Sequence, residues 1–255
     1  MSVPPLLLSL DCATLPASVA LLDGTGLLCE TAQDDERRAD AWLGLAVEHC
    51  LDEIGVDVGD LAGVAVCVGP GTFTGIRVGI ATALGLAAPS ALPVAGVTSL
   101  DALALIGTRH ADIVAACIDA RRDQVYAALY VASRGVADAD EAAAGDSPFA
   151  AVWGPEVCSP RHFGAAIAAQ SAPVLALGSG AALLGAGGAG PTALTAGGEL
   201  RLITDPVPLA GAVGELAMAS WPAVGKPPDW PAPEPVYLRP PDATPPRNPL
   251  LAVDD

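Results

Sequence analysis

The chain has 255 residues, of which 52% are hydrophobic and only 4% aromatic, and it carries a formal net charge of −17 at pH 7. That length suits one large domain or two small ones, with a core of Ala, Val and Leu in thin layers. The acidity excludes a protein that grips nucleic acid alone, which needs a basic footprint. The single lysine, Lys226 in a proline-rich stretch, excludes a Walker-type phosphate loop and a lysine nucleophile.

In chain order, Leu6–Leu10 reads as a buried strand. Ser18–Leu22 and Leu27–Thr31 flank the turn cluster Asp23-Gly24-Thr25-Gly26 as a hairpin. Asp34, Asp35 and Glu36 supply an acidic start to a helix over 37–54. Its apolar positions Leu43, Ala46, Val47, Cys50, Leu51 and Ile54 fall on one face. A strand at Val64–Val68 leads into Gly69-Pro70-Gly71-Thr72-Phe73-Thr74-Gly75, then a helix to Ala88, a strand at Pro93–Val97 and a helix capped by Thr98 or Ser99. Ile113–Asp119 and Val125–Val131 flank the Ala120–Gln124 turn as a second hairpin. Residues 134–148 read as an exposed acidic loop, Ser159-Pro160 as a helix start, Pro173–Leu177 as a strand ending in Gly178-Ser179-Gly180, and Leu209–Ser220 as a helix. The proline density after residue 221 forbids continuous helix or a central strand, so an extended tail is expected.

Three strands followed by helix, strand, helix, strand, helix is the order of one RNase H-like lobe of the actin/sugar-kinase/Hsp70 superfamily. The expected fold is α/β, with two such lobes, mixed sheets and flanking helices. The expected boundaries are 1–110 for the first lobe, 111–221 for the second and 222–255 for the tail. No apolar run approaches the ~20 residues of a membrane helix. Met1–Pro5 lacks the basic start of a secretory signal, so a cytoplasmic location and no membrane contact are expected. Cys12, Cys29, Cys50, Cys67, Cys117 and Cys158 form no C-x-x-C pair, and His49, His110 and His162 show no metal-ligand spacing. Buried, reduced thiols and no metal are the expectation.

The Gly-rich loop has two readings. A helix start exposes unpaired N–H groups and a partial positive charge, so Gly71, Thr72 and Thr74 are candidates to contact a phosphate or other anion. The same residues also make a capped turn that sets the helix for packing. Asp11 and Thr14, after the first strand, stand where this superfamily positions a metal-bound phosphate. Asp11 also suits a cap on its own turn. Asp119 and Arg121 are either an anion contact from the second lobe or a local ion pair that shapes their hairpin. Gly75, Gly79, Ala83 and Ala87 recur every four residues, and a glycine inside a helix costs roughly 0.8–1 kcal/mol. Close approach of another backbone would offset that cost, either within the lobe or across a subunit interface.

The wording of these segments is more specific than their physics. Gly69-Pro70-Gly71-Thr72-Phe73-Thr74-Gly75-Ile76-Arg77 and the helix after it resemble the signature of the bacterial TsaB (YeaZ) family. Leu6–Thr14 is similar to that family's opening strand and Asp-Thr-Ser-Thr turn, with Cys12 and Ala13 replacing the hydroxylated pair. Ile118–Tyr126 resembles its Asp-Ala-Arg hairpin, and Pro235-Val236-Tyr237-Leu238-Arg239 its terminal Tyr-Leu-Arg element. The matches run in order from residue 6 to residue 239.

The resemblance implies a role in making threonylcarbamoyl-adenosine beside the anticodon of tRNAs that read codons beginning with A. It implies a non-catalytic partner of TsaD, the metal-containing paralogue that transfers the threonylcarbamoyl group made by TsaC. TsaE, an ATPase, joins the larger complex. It further implies a heterodimer with TsaD, and a homodimer when alone, through the first two helices. Trp42, Leu43, Ala46, Val47, Gly75, Gly79 and Ala83 are then expected at that interface. No cofactor of its own is expected, ATP or ADP enters only in the complex, and tRNA is met only through it. The alternative from another class is a small-molecule phosphotransferase of the superfamily's kinase type, for which only Asp11 is a candidate metal-positioning carboxylate. A protease is the third reading, and no Ser-His-Asp, Cys-His or metal motif supports it.

Overall fold

The computed structural model describes residues 5–33, 39–133, 147–186, 194–195, 198–221 and 228–239. The expected acidic helix start at 34–36, the core of the 134–148 loop, and residues 222–227 and 240–255 of the tail lie outside these.

The first sheet contains β1 (Leu6–Asp11), β2 (Ala17–Asp23), β3 (Gly26–Gln33), β4 (Leu61–Cys67) and β5 (Val94–Val97), in the order β3-β2-β1-β4-β5. β1 to β3 form an antiparallel meander, and β4 and β5 continue the sheet parallel to β1. The second sheet contains β6 (Ile113–Asp119), β7 (Val125–Ala132), β8 (Phe149–Cys158), β9 (Val174–Leu177), β10 (Leu194–Thr195) and β11 (Gly198–Ile203). Its order is β10-β11-β9-β6-β7-β8. β6 to β8 are again antiparallel, while β9 pairs parallel with β6 and β11 parallel with β9. Apart from the short β10, both sheets have the same plan: the expected pair of RNase H-like lobes.

The helices make the layers. α1 (Ala39–Ile54) and α2 (Phe73–Ala87) cover one face of the first sheet; α6 (Ala210–Ala219) covers the other. α3 (Ser99–Thr108) lies on β6 and β7 and touches α6, so α3 and α6 fill the space between the sheets. α4 (Pro160–Ala168) and α5 (Ala181–Ala186) close the far face of the second sheet. Because both faces are covered, β1, β4 and β6 are buried along nearly their whole length. The first sheet takes its strands from residues 6–97 and the second from residues 113–203, and α6 crosses back onto the first sheet from the second half of the chain.

Polar contacts from distant strands fix that crossing. Ser18 Oγ accepts the N–H groups of Leu209 (3.2 Å) and Ala210 (3.0 Å), and the Glu30 carboxylate accepts that of Gly211 (2.8 Å). Ser9 Oγ donates to the Ala210 carbonyl at 2.6 Å. The Ser18 and Glu30 oxygens cap a helix whose own preceding residue, Leu209, offers no side-chain cap. One core cluster joins the lobes, uniting Leu7, Ala65 and Ile76 with Val114, Ile118 and Leu177. Among the described residues, no helix is long and apolar enough to cross a membrane.

At the end of the short helical turn after α2, Ala91 sits at φ 49°, ψ 42°. This left-handed geometry costs an L-residue about 1–2 kcal/mol, and glycine adopts it freely. Ala91→Gly is expected to raise stability by about 1 kcal/mol, seen as a higher urea midpoint with an unchanged slope.

Candidate functional site: the interlobe cleft

The turn after β1 and the Gly loop after β4 are packed on each other at backbone distance. The Thr72 N–H donates to the Ala13 carbonyl at 2.8 Å. A Cβ on Gly71 would lie 2.1 Å from the Ala13 oxygen, and one on Gly75 would lie 1.8 Å from the Cys12 oxygen. Only glycine permits this approach. Thr72 caps α2 by accepting the Gly75 N–H at 3.2 Å. The loop is also tied to α3, since the Ser99 N–H reaches the Gly69 carbonyl (2.9 Å) and Ser99 Oγ the Pro70 carbonyl (2.6 Å).

Opposite this wall stands the β6–β7 hairpin. Arg121, Arg122 and Asp123 are left-handed in succession, at φ 63°, 55° and 56°. The turn is closed by the Asp119 carboxylate, which accepts the Arg121 N–H at 2.7 Å and lies 3.6 Å from its guanidinium. Between the walls is a cleft of about 290 Å³ that includes Thr14, Gly71, Thr72, Asp119, Arg121 and Ser179 in its lining. Five of the seven residues read from sequence as candidate nucleotide or anion contacts are therefore brought together.

The other two are not. Thr74 is exposed on the first turn of α2 and does not line the cleft. Asp11 is 0% exposed and lies outside the lining. Its carboxylate accepts the N–H groups of Ala13 (2.8 Å) and Thr14 (3.3 Å) and the Thr14 hydroxyl. This is the self-capping geometry, which leaves no free carboxylate edge facing the cleft.

Burial pushes the Asp11 carboxyl above its ordinary value, against the hydrogen bonds from Thr14, Ala13 and Cys67 that favour the ion. Burial beside Asp11 also raises the Cys12 thiol, to about 12. A carboxyl raised in the folded state binds its proton more tightly there than in the unfolded chain. Its contribution is therefore full below the unfolded value of 3.8 and is lost as pH rises through the folded one. Asp11→Asn keeps an oxygen for the two N–H groups and removes the buried charge. The variant is expected to be at least as stable as the parent at pH 7, with the difference vanishing near pH 4. Urea titrations at both pH values measure this.

The expected partner-facing residues are corrected. Leu43, Ala46 and Val47 are buried against the first sheet, with Trp42 packed on the same cluster. Gly79 and Ala83 are also buried, and a Cβ on Gly79 would meet Val66 at 3.5 Å and Cys12 at 3.7 Å. Gly75 is held against Cys12. The helical periodicity had identified the stripe that faces the lobe's own core. The outward faces instead expose Leu45 (66%) on α1 and Phe73 (52%) and Leu84 (45%) on α2.

Sequence reasoning also missed the part played by the terminal element. Tyr237 packs on Phe73 with the rings tilted and their centroids 5.3 Å apart, and its hydroxyl accepts from Arg77 Nε at 3.2 Å. The Arg77 guanidinium lies over the Phe73 ring at 3.8 Å. Arg239 donates to the Ala120 carbonyl at 2.8 Å and to Gln124 Oε1. The Tyr-x-Arg spacing was visible, but its target 160 residues away was not.

The family model for TsaD, tRNA N6-adenosine threonylcarbamoyltransferase, matches residues 30–177. A solved structure of a Pseudomonas aeruginosa protein with similarity to peptidase YeaZ superposes with a TM-score of 0.73 at 30% identity, covering 92% of this chain and 100% of that one. The chain belongs to the TsaB (YeaZ) family. A structure of YeaZ from Pseudomonas aeruginosa agrees, with a TM-score of 0.68 at 29% identity over 84% of this chain and 91% of that one. Among curated relatives, the tRNA threonylcarbamoyladenosine biosynthesis protein TsaB of Bacillus subtilis is 30% identical over 130 residues, 51% of this chain and 57% of the relative. That of Escherichia coli is 36% identical over 126 residues, 49% of this chain and 54% of the relative. The chain thus spans about half the length of the curated relatives it matches. The two Pseudomonas structures carry the likeness through both lobes.

Proposed function

We propose that this protein is the non-catalytic partner of TsaD in forming threonylcarbamoyl-adenosine on tRNA. Its family supports the pathway. The observation that carries the partner role is Asp11. The one carboxylate at the superfamily's metal-positioning place is spent on its own turn and buried beneath the cleft. In the cleft, the positive charge of Arg121 is balanced by Asp119, which weakens its pull on a phosphate. Nucleotide binding is therefore assigned to the assembled complex and not to the lone chain. tRNA contact is assigned to the complex as well, because a net charge of −17 repels a polyanion at close range, beyond which salt screens it within about 8 Å.

The docking surface is assigned to the outward faces of α1 and α2. Four of the seven large exposed hydrophobic side chains among the described residues lie on these two helices: Leu45, Ile54, Phe73 and Leu84. The same faces pair in a homodimer when TsaD is absent, and TsaE joins only the assembled complex. Titration calorimetry of the purified chain against TsaD from the same cell tests the reading. A saturable one-to-one complex is expected, while the lone chain shows no steady ATP turnover. An absence of complex, together with ATP turnover that Asp11→Asn abolishes, would replace this reading with that of a phosphotransferase.

A further inference from the structure

The described part of the proline-rich tail is bonded to both walls of the cleft within four residues. On the first lobe, the Val236 N–H donates to the Val68 carbonyl at 2.8 Å, directly before the Gly loop. Val236 packs on the first lobe's core, and Tyr237 holds Phe73 and Arg77 of α2. On the second lobe, Arg239 donates to the Ala120 carbonyl at 2.8 Å, to Gln124 Oε1 and, at 3.5 Å, to the Arg121 carbonyl. Leu238, between them, packs on the cluster that joins the lobes.

We propose that Pro235–Arg239 is an interlobe latch that sets the opening of the cleft, with Arg239 as the residue that positions the Arg121 hairpin. The physical basis is reach. Three residues span at most about 10 Å when fully extended, to which the Arg239 side chain adds only its own fixed length. While Val236 holds the Gly loop and Arg239 holds the hairpin, the two walls cannot separate beyond that tether. The hairpin needs such a hold, because three successive left-handed residues are costly without support from outside. A guanidinium fork placed on its carbonyls supplies directional, charge-assisted bonds. The lobes are also joined by the buried contacts of α3 and α6, about which they would move. The latch itself belongs to no sheet or helix, and Tyr237 is 42% exposed, so its release breaks no strand ladder or helix.

This inference concerns the chain by itself and stands or falls apart from the partner reading. All six native cysteines are buried, so spin labels attach at introduced surface sites. Ala81→Cys on α2 and Ala182→Cys on α5, both at exposed positions, report the separation of the lobes by pulsed electron resonance. The parent should give one narrow distance. Arg239→Ala should shift it to longer values and broaden it. Amide exchange at Gln124 and Val236 should rise together by about tenfold, the scale of one charge-assisted hydrogen bond. Tyr237→Ala, which loosens the other end, should act in the same direction. Arg239→Gln serves in place of Arg239→Ala should the latter lose its circular-dichroism signature. An unchanged distance in the folded variants, with faster exchange confined to 120–124, would make Arg239 a local hairpin cap and overturn the latch.

Discussion

Gly75→Ala is expected to lower the melting temperature of the isolated chain by about 6–12 °C, whereas Gly79→Ala, one helical turn away, should leave it unchanged or raise it. The new methyl at 75 would lie 1.8 Å from the Cys12 carbonyl oxygen. That oxygen belongs to the backbone just past β1, a strand held by β2 and β4 on either side, and it has no rotamer to give. Relief requires α2 to lift from the turn, which breaks the Thr72 cap and opens the Gly-loop wall. Overpacking typically costs 1–3 kcal/mol, and a rigid backbone neighbour places this case at about 3 kcal/mol. For a chain of this size each kcal/mol shifts the midpoint by about 2–4 °C. At Gly79 the nearest atoms stand at 3.5 Å and 3.7 Å, ordinary contact distances. The methyl there fits, and the helix gains up to about 0.8–1 kcal/mol of propensity. Differential scanning calorimetry of the two variants measures the contrast. A shared small effect would mean that the turn and loop are not locked at backbone distance.

Leu45→Glu and Leu84→Glu are expected to weaken association with TsaD by about 30-fold or more while leaving the melting temperature of the isolated chain within a degree or two. Both side chains face outward, at 66% and 45% exposure, and surface changes of this kind usually alter stability by no more than about 0.5 kcal/mol. In an apolar seam each charge would lose its hydration without a partner. Truncation at an interface hot spot already costs 2 kcal/mol or more, about 30-fold in dissociation constant. Leu43→Glu is the control: Leu43 is buried, so that variant should fail to fold. Calorimetric affinities and melting curves on the three variants separate docking surface from core. Wild-type affinity in Leu45→Glu and Leu84→Glu would remove α1 and α2 from the interface.

The parts of this fold that were legible in sequence are those written in local chemistry. The first hairpin shows in Asp23-Gly24-Thr25-Gly26, whose Asp23 carboxylate does accept from Thr25. The caps at Thr72, Thr98 and Ser159 stand where their hydroxyls predict them. The cleft was legible because its walls are two turn motifs with unusual backbone demands, Gly69–Gly75 and Ala120–Gln124. Contacts that depend on distant partners were not. Nothing near Leu209 announces that Ser18 and Glu30 cap α6, and nothing in the prolines says that Val236 will bond Val68. The residues expected at an interface turn inward for a related reason. Gly79 and Ala83 signal a close approach, but spacing alone does not say whether the approaching surface is the chain's own sheet or another protein.

The measurement that bears most directly on the central claim is reconstituted tRNA modification. TsaC, TsaD and TsaE from the same cell are combined with unmodified tRNA, threonine, bicarbonate and ATP, and threonylcarbamoyl-adenosine is counted by mass spectrometry with and without this chain. The account predicts that modification requires the chain, that Leu45→Glu and Leu84→Glu reduce it in proportion to lost TsaD binding, and that Asp11→Asn supports it at near the parental level. Full modification in the absence of the chain, or its abolition by Asp11→Asn in a folded protein that still binds TsaD, would contradict the account.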